Sequence, residues 1–298
     1  MRDPTTKPHE RTNRNETIGL FEILSEPITD QQFVRDALIL FLGPAALMIL
    51  LYLGTDPTTF EYDVAKPSLW GIYTSNLSHR SWRHLGSNLL GLFLIGGYTY
   101  ALLTAVECRK HYVYVFVGSL LVFPLGGHLF LQFVLVHNPV FGTYEAVGFS
   151  EPIAALVGYL PLAIATYINR ETGLRAPILT ALLLYASGIA WAIGQIYGFD
   201  IFSVFLGGLG VIGVLWIALH ISLTAELATK GDRLRYALSI VFFLLVYGYG
   251  LRTLFPGGNV GTMVGHLAGF LPGFFISIVV LSVFSTVRSN HELSLDVG

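Results

Sequence analysis

Of the 298 residues, 53% are hydrophobic and only 12% are charged, about half the charged share of a soluble domain, and the mean hydropathy is +0.64. Composition therefore makes this a polytopic membrane protein. The net charge of −2 offers no basic face for nucleic acid, and the single cysteine, Cys108, excludes an internal disulfide and a cysteine-built metal cluster.

In chain order, residues 1–35 read as a polar arm with five Lys/Arg and with neither a signal peptide nor a typical transit peptide. Inside it, residues 17–24 are weakly amphipathic, which suits a surface-lying segment or a flexible tail. Apolar runs then predict eight spans, over about 37–53, 84–106, 112–136, 150–168, 177–196, 201–223, 236–254 and 260–284. The polar stretch 54–83 is long for a connection and predicts a structured loop. Only residues 197–200 separate the fifth and sixth runs, but together these cover over forty residues, roughly 60 Å of helix and hence two crossings.

With the N-terminus inside, thirteen Lys/Arg fall on inner segments and four on outer ones, the bias expected of cytoplasmic loops. The expected fold class is an all-α, multi-pass membrane helix bundle with both termini cytoplasmic, in the cell membrane. Its parts are a cytoplasmic arm over 1–35, a transmembrane domain over 36–286 and a cytoplasmic tail over 287–298.

Three polar positions fall inside these spans, where such groups are expensive and face protein or water. His84 and Asn88 (i, i+4) share a face of the second span. Ser150 opens the fourth, in the segment Gly148, Phe149, Ser150, Glu151, Pro152, and His266 lies on the eighth. Each helix runs inward to an arginine: Asn88 precedes Arg109 by 21 residues, Ser150 precedes Arg170 by 20 and His266 precedes Arg288 by 22. The three groups therefore stand at one height, roughly 30–33 Å from the inner arginines and toward the outer leaflet.

Their chemistry is complementary. A serine hydroxyl becomes a nucleophile when a base, usually histidine, takes its proton, and the oxyanion that follows needs donors aimed at it. His84 and Asn88 side chains, with backbone N–H groups at the start of the Ser150 helix, can supply them. Ser150, Ala154 and Gly158 form a small-residue stripe, and His266, Gly269 and Gly273, with Gly265 beside them, form another. Two such stripes allow close backbone approach. Each feature also has a plainer reading: Ser150 as a helix cap, Asn88 as a bridge between helices, the glycines as packing only.

Together these segments resemble the rhomboid family of intramembrane serine proteases. His84 and Asn88, with His79 upstream, are similar to its H-x-x-x-N segment. Gly148 and Ser150 match the first part of its G-x-S-G motif, and Gly265, His266, Gly269 and Gly273 match its histidine motif. The resemblance implies a rhomboid-like protease domain with Ser150 as nucleophile, His266 as general base and His84 and Asn88 as oxyanion-hole side chains. It also implies transmembrane protein substrates in the lipid bilayer, no cofactor and no metal, and residues 70–83 as the end of a membrane-embedded loop.

The chain departs from the pattern in three ways. Glu151 stands where the family has glycine, and Ala154 stands where many members stack an aromatic on the histidine. Three spans, rather than one, separate the serine and histidine helices, so two helices are additional to a six-helix core. Glu151 is expected to turn toward the outer aqueous surface and pair with Arg80 or Arg83. The rival readings are a pseudoprotease that binds membrane clients without cutting them, for which Glu151 is the best argument, and a histidine-lined transporter. The transporter would need carboxylates at depth, and the span centres essentially lack them.

Overall fold

A chain segment in hydrocarbon must satisfy its own backbone groups, which selects helices. The structure, a computed structural model, describes residues 31–63, 66–137, 145–146, 148–224, 230–258 and 260–295. The amphipathic piece 17–24 lies outside them. Among the described residues, seven helices are long and apolar enough to cross a membrane: α1 (Gln31–Gly54), α3 (Trp82–Ala105), α6 (Ser150–Thr172), α7 (Pro177–Tyr197), α8 (Ile201–Thr224), α9 (Lys230–Leu254) and α10 (Val260–Leu295). The protein is thus an all-α, multi-pass membrane bundle.

The expected third span is not one straight helix. It is a pair, α4 (Arg109–Leu121) and α5 (Phe123–His137), bent by 47°, and it supplies an eighth crossing when counted as one span. Pro124 sits in the first turn of α5. It has no N–H to continue the ladder, and its ring pushes against the preceding turn. The gap at residues 197–200 is a true break. Gly198 adopts a left-handed φ of 93°, and Asp200 then caps α8 by accepting from the Ser203 N–H at 2.8 Å.

Both ends of the described bundle are helical. Helix α1 starts at Gln31, inside the segment assigned to the arm, because Asp36 is not solvated: it accepts from Arg109 and, at 2.6 Å, from the Tyr100 hydroxyl. Helix α10 continues to Leu295, over the start of the segment read as a tail. No glycine or proline follows Gly273 in this helix to stop it.

Helix α6 is the hub. Of its apolar stretch 94% is buried, against 22% for α1 and for α8, so those two face outward and α6 faces protein on all sides. The predicted stripes meet here. A Cβ on Gly158 would run into the Phe270 carbonyl, and one on Gly273 into the Ala155 carbonyl. Gly269 lies against the Glu151 carbonyl and Ala154. Helices α6 and α10 therefore touch backbone to backbone. Helix α9 lies across α6 and α3, with the Tyr98 hydroxyl donating to the Ser239 carbonyl at 2.6 Å. The α7–α8 hairpin packs outside α6 and α10, where Gly210 and Gly213 of α8 seat against Ser187 and Leu184 of α7.

The long polar loop is structured. It holds a short strand β1 (Tyr62–Asp63), a six-residue helix α2 (Leu69–Thr74) and two single turns, Pro57–Phe60 and Ser75–Leu77. Strand β1 pairs antiparallel with β2 (Glu145–Ala146), Tyr62 facing Ala146. This ties the loop to the chain just before Ser150. Leu69 and Trp70 point outward, 70% and 69% exposed, as an apolar edge suited to lipid.

Candidate active site

Gly148 sets the position of the nucleophile. Its φ of +106° is a conformation that L side chains rarely adopt, and a Cβ there would collide with the His84 ring and Asn88. The Gly148 N–H donates to the Ser75 carbonyl at 2.7 Å, which fastens this turn to the loop. Ser150 follows as the first residue of α6.

Ser150 and His266 meet across the α6–α10 contact, with Oγ 3.0 Å from Nε2. The other ring nitrogen, Nδ1, is bonded to the Leu254 carbonyl at the end of α9. A carbonyl only accepts, so Nδ1 carries the proton and Nε2 presents a lone pair to the serine hydroxyl. That is the tautomer a general base needs.

His84, Asn88, Ser150 and His266 line one cleft of about 320 Å³, which α9 completes with Tyr249, Thr253 and Leu254. Asn88 donates from Nδ2 to His79 Nε2 at 2.8 Å, and the second proton of that amide remains for the cleft. The rings of His79 and His84 meet edge to face, 5.1 Å apart. Burial, with a smaller push from His84, lowers the loop histidine His79 to about 4. It is neutral at pH 7 and acts as an acceptor. In the sequence His79 stands out only as a histidine upstream of His84. Its role emerges from the loop, which folds it back over α3 and against Phe149, whose N–H also points at Nε2, at 3.4 Å.

Glu151 turns inward, against expectation. It does not reach the aqueous surface and does not pair with Arg80 or Arg83. It is 8% exposed, with Oε2 3.3 Å from His128 Nδ1, and Arg80 pairs instead with Glu61 at 2.6 Å. The room comes from two glycines on other helices, Gly127 and Gly269, both in contact with the Glu151 side chain. Glu151 and His128 share a small cavity of about 20 Å³ with Ser150 and His266, bordered also by Gly265. Glu151 is not among the residues that line the larger cleft with His84 and Asn88. His128 Nδ1 also donates to the Pro124 carbonyl at 2.8 Å, so the bend in the α4–α5 pair is joined to α6 here.

Ala154 is fully buried beside Gly269 and gives His266 no ring to stack on. Its place is taken from α9 by the Leu254 carbonyl and by Phe255, whose ring stands edge-on to His266 with centroids 6.3 Å apart.

Comparison with known protein families, with curated proteins and with solved structures returned no match; the functional reading rests on the site itself.

Proposed function

We propose that this membrane protein is a rhomboid-type intramembrane serine endopeptidase. The observation that carries the reading is the Ser150 Oγ–His266 Nε2 contact of 3.0 Å, with Nδ1 held by a carbonyl. In this reading, His266 takes the hydroxyl proton as Ser150 attacks a peptide carbonyl of a transmembrane substrate. His84, the free proton of Asn88 and N–H groups at the start of α6 receive the oxyanion. His266 then returns the proton to the leaving amine, and water hydrolyses the acyl-enzyme by the same route. Both termini are placed in the cytoplasm of a cell-membrane protein, with the dyad toward the outer leaflet, on the strength of the Lys/Arg asymmetry.

A pseudoprotease would keep this scaffold without the chemistry, and Glu151 is its best support. The position of that carboxylate on the His128 side leaves the oxyanion side open, which favours the protease. The test is reaction of the detergent-solubilised chain with an alkyl fluorophosphonate, with the modified residue mapped. Attachment at Ser150 that is lost in His266→Ala is the expected result. Absence of labelling would remove the protease reading.

A further inference from the structure

The α7–α8 hairpin holds the turn that carries the base's own anchor. Gly188, Trp191 and Gln195 (i, i+3, i+7) share one face of α7, which packs on α9, on α10 and on the turn between them. Gly188 lies against Tyr247, Leu251 and Phe270. The Trp191 indole N–H donates to the Phe255 carbonyl at 3.3 Å. Gln195 reaches Gly257, a residue at φ +83°. Phe199, just after α7, packs on Trp191 with centroids 5.9 Å apart.

The junction matters because α9 ends at Leu254, and the last carbonyls of a helix have no partner within it. Leu254 spends that carbonyl on His266 Nδ1. The negative end of the α9 dipole therefore faces the ring, favouring the imidazolium that forms when Ser150 gives up its proton. The next carbonyl, of Phe255, is the one Trp191 holds, and the Phe255 ring packs on both His266 and Phe270. The same turn also lines the cleft, through Leu254 and Pro256. On α6 the ring meets Ser150 through Nε2, while Ala154 offers its face only a methyl group.

We infer that Trp191 is a positioning residue for the general base. The α7–α8 hairpin is then a buttress that fixes the 254–258 turn and, through the Leu254 carbonyl, the Nδ1 side of His266. The inference rests on the protease reading above. Its consequence is opposite to that of a simple gate at the end of α9: loosening this turn slows the chemistry instead of easing access to it.

The experiment uses the full chain in detergent and a small alkyl fluorophosphonate, which reaches Ser150 without a helical substrate. Trp191→Phe keeps the ring and removes the donor. The limiting rate of inactivation should fall roughly 10-fold, as expected when a reacting group is misplaced by a fraction of an ångström. The inhibitor concentration at half-maximal rate and the thermal midpoint should stay unchanged. Phe199→Leu, at an exposed position, should give a smaller loss in the same parameter and stands in if the first variant does not fold. Trp216→Phe, on the outward face of α8, should react like wild type. Wild-type rates in both Trp191→Phe and Phe199→Leu would overturn the inference, as would equal slowing in Trp216→Phe. Failure of the wild-type protein to react at Ser150 would instead overturn the dyad reading, and the inference with it.

Discussion

Asn88 donates its amide to the ring of His79 at 2.8 Å, so a histidine of the loop fixes the orientation of a helix side chain in the cleft. With Nε2 of His79 as the acceptor, Asn88 cannot rotate without leaving a buried group unpaired.

The pair predicts a pH signature. His79 titrates near 6.5 when exposed and near 4 in the fold, mainly through burial. The unfolded chain therefore binds the extra proton over that window, and stability is present above about 6.5 and lost as pH falls through about 4. His79→Gln keeps an acceptor and cannot titrate. It should match wild-type turnover at neutral pH and show a shallower fall of thermal midpoint over the same window. His79→Ala should lower turnover, and Asn88→Ala or His84→Ala should cost roughly 10²–10³-fold. Parallel midpoint curves for wild type and His79→Gln would count against the assignment.

Gly148→Ala tests the approach to the nucleophile. At φ +106°, with a Cβ directed into His84 and Asn88, alanine should be strained by about 1–3 kcal/mol and should misplace Ser150. Fluorophosphonate labelling should be nearly lost while the helical content by circular dichroism is kept. Full labelling would show that the cleft accepts a side chain there.

The α6–α10 crossing predicts which glycines are replaceable. Gly158→Ala and Gly273→Ala put a methyl group into a facing carbonyl and should each lower the thermal midpoint. Gly248→Ala, on α9 with open space where the Cβ would go, should raise stability by about 0.4–1 kcal/mol. Equal midpoints in all three variants would mean that the two backbones are not in contact.

Much of this architecture was readable because the bilayer leaves a chain few options. Long apolar runs become helices, and equal distances from the inner arginines put Ser150, Asn88 and His266 at one height. The bend at Val122 was within reach, since Pro124 and the glycines Gly126 and Gly127 mark it. Two other features had no local signal. The β1–β2 pair joins residues about eighty positions apart through two-residue strands too short to show a period. The direction of Glu151 depends on space left by Gly127 and Gly269, on helices remote in sequence.

Orientation is tested with introduced thiols, because Cys108 is 6% exposed and a poor target in the folded chain. On a Cys108→Ser background, Arg175→Cys in the exposed α6–α7 turn should react with a membrane-impermeant maleimide only in inside-out vesicles. Tyr197→Cys, at the other end of α7 and 74% exposed in the native tyrosine, should react only in intact cells. The reverse pattern would place the dyad toward the inner leaflet.

Glu151 divides a protease from a client-binding relic, and its surroundings favour the protease. A carboxyl group in the first turn of α6 is favoured by the helix dipole by about 0.3–1 kcal/mol, and His128 is at hand, 3.3 Å away. Removing one member of a buried polar pair leaves the other without its neighbour, at a cost of about 1–3 kcal/mol. His128→Ala should therefore destabilise the protein more than Glu151→Gln, which keeps a polar group of the same shape. The double variant should recover part of the loss, giving a coupling of about 1 kcal/mol or more in a double-mutant cycle. Additive midpoints would mean that the two side chains are merely neighbours. On a helical reporter substrate, Glu151→Gln should stay within a few-fold of wild type, because Glu151 is not among the residues that line the cleft with His84 and Asn88. An inactive wild-type protein that Glu151→Gly restores would mean that this carboxylate has shut down the site, and the protease reading would fall.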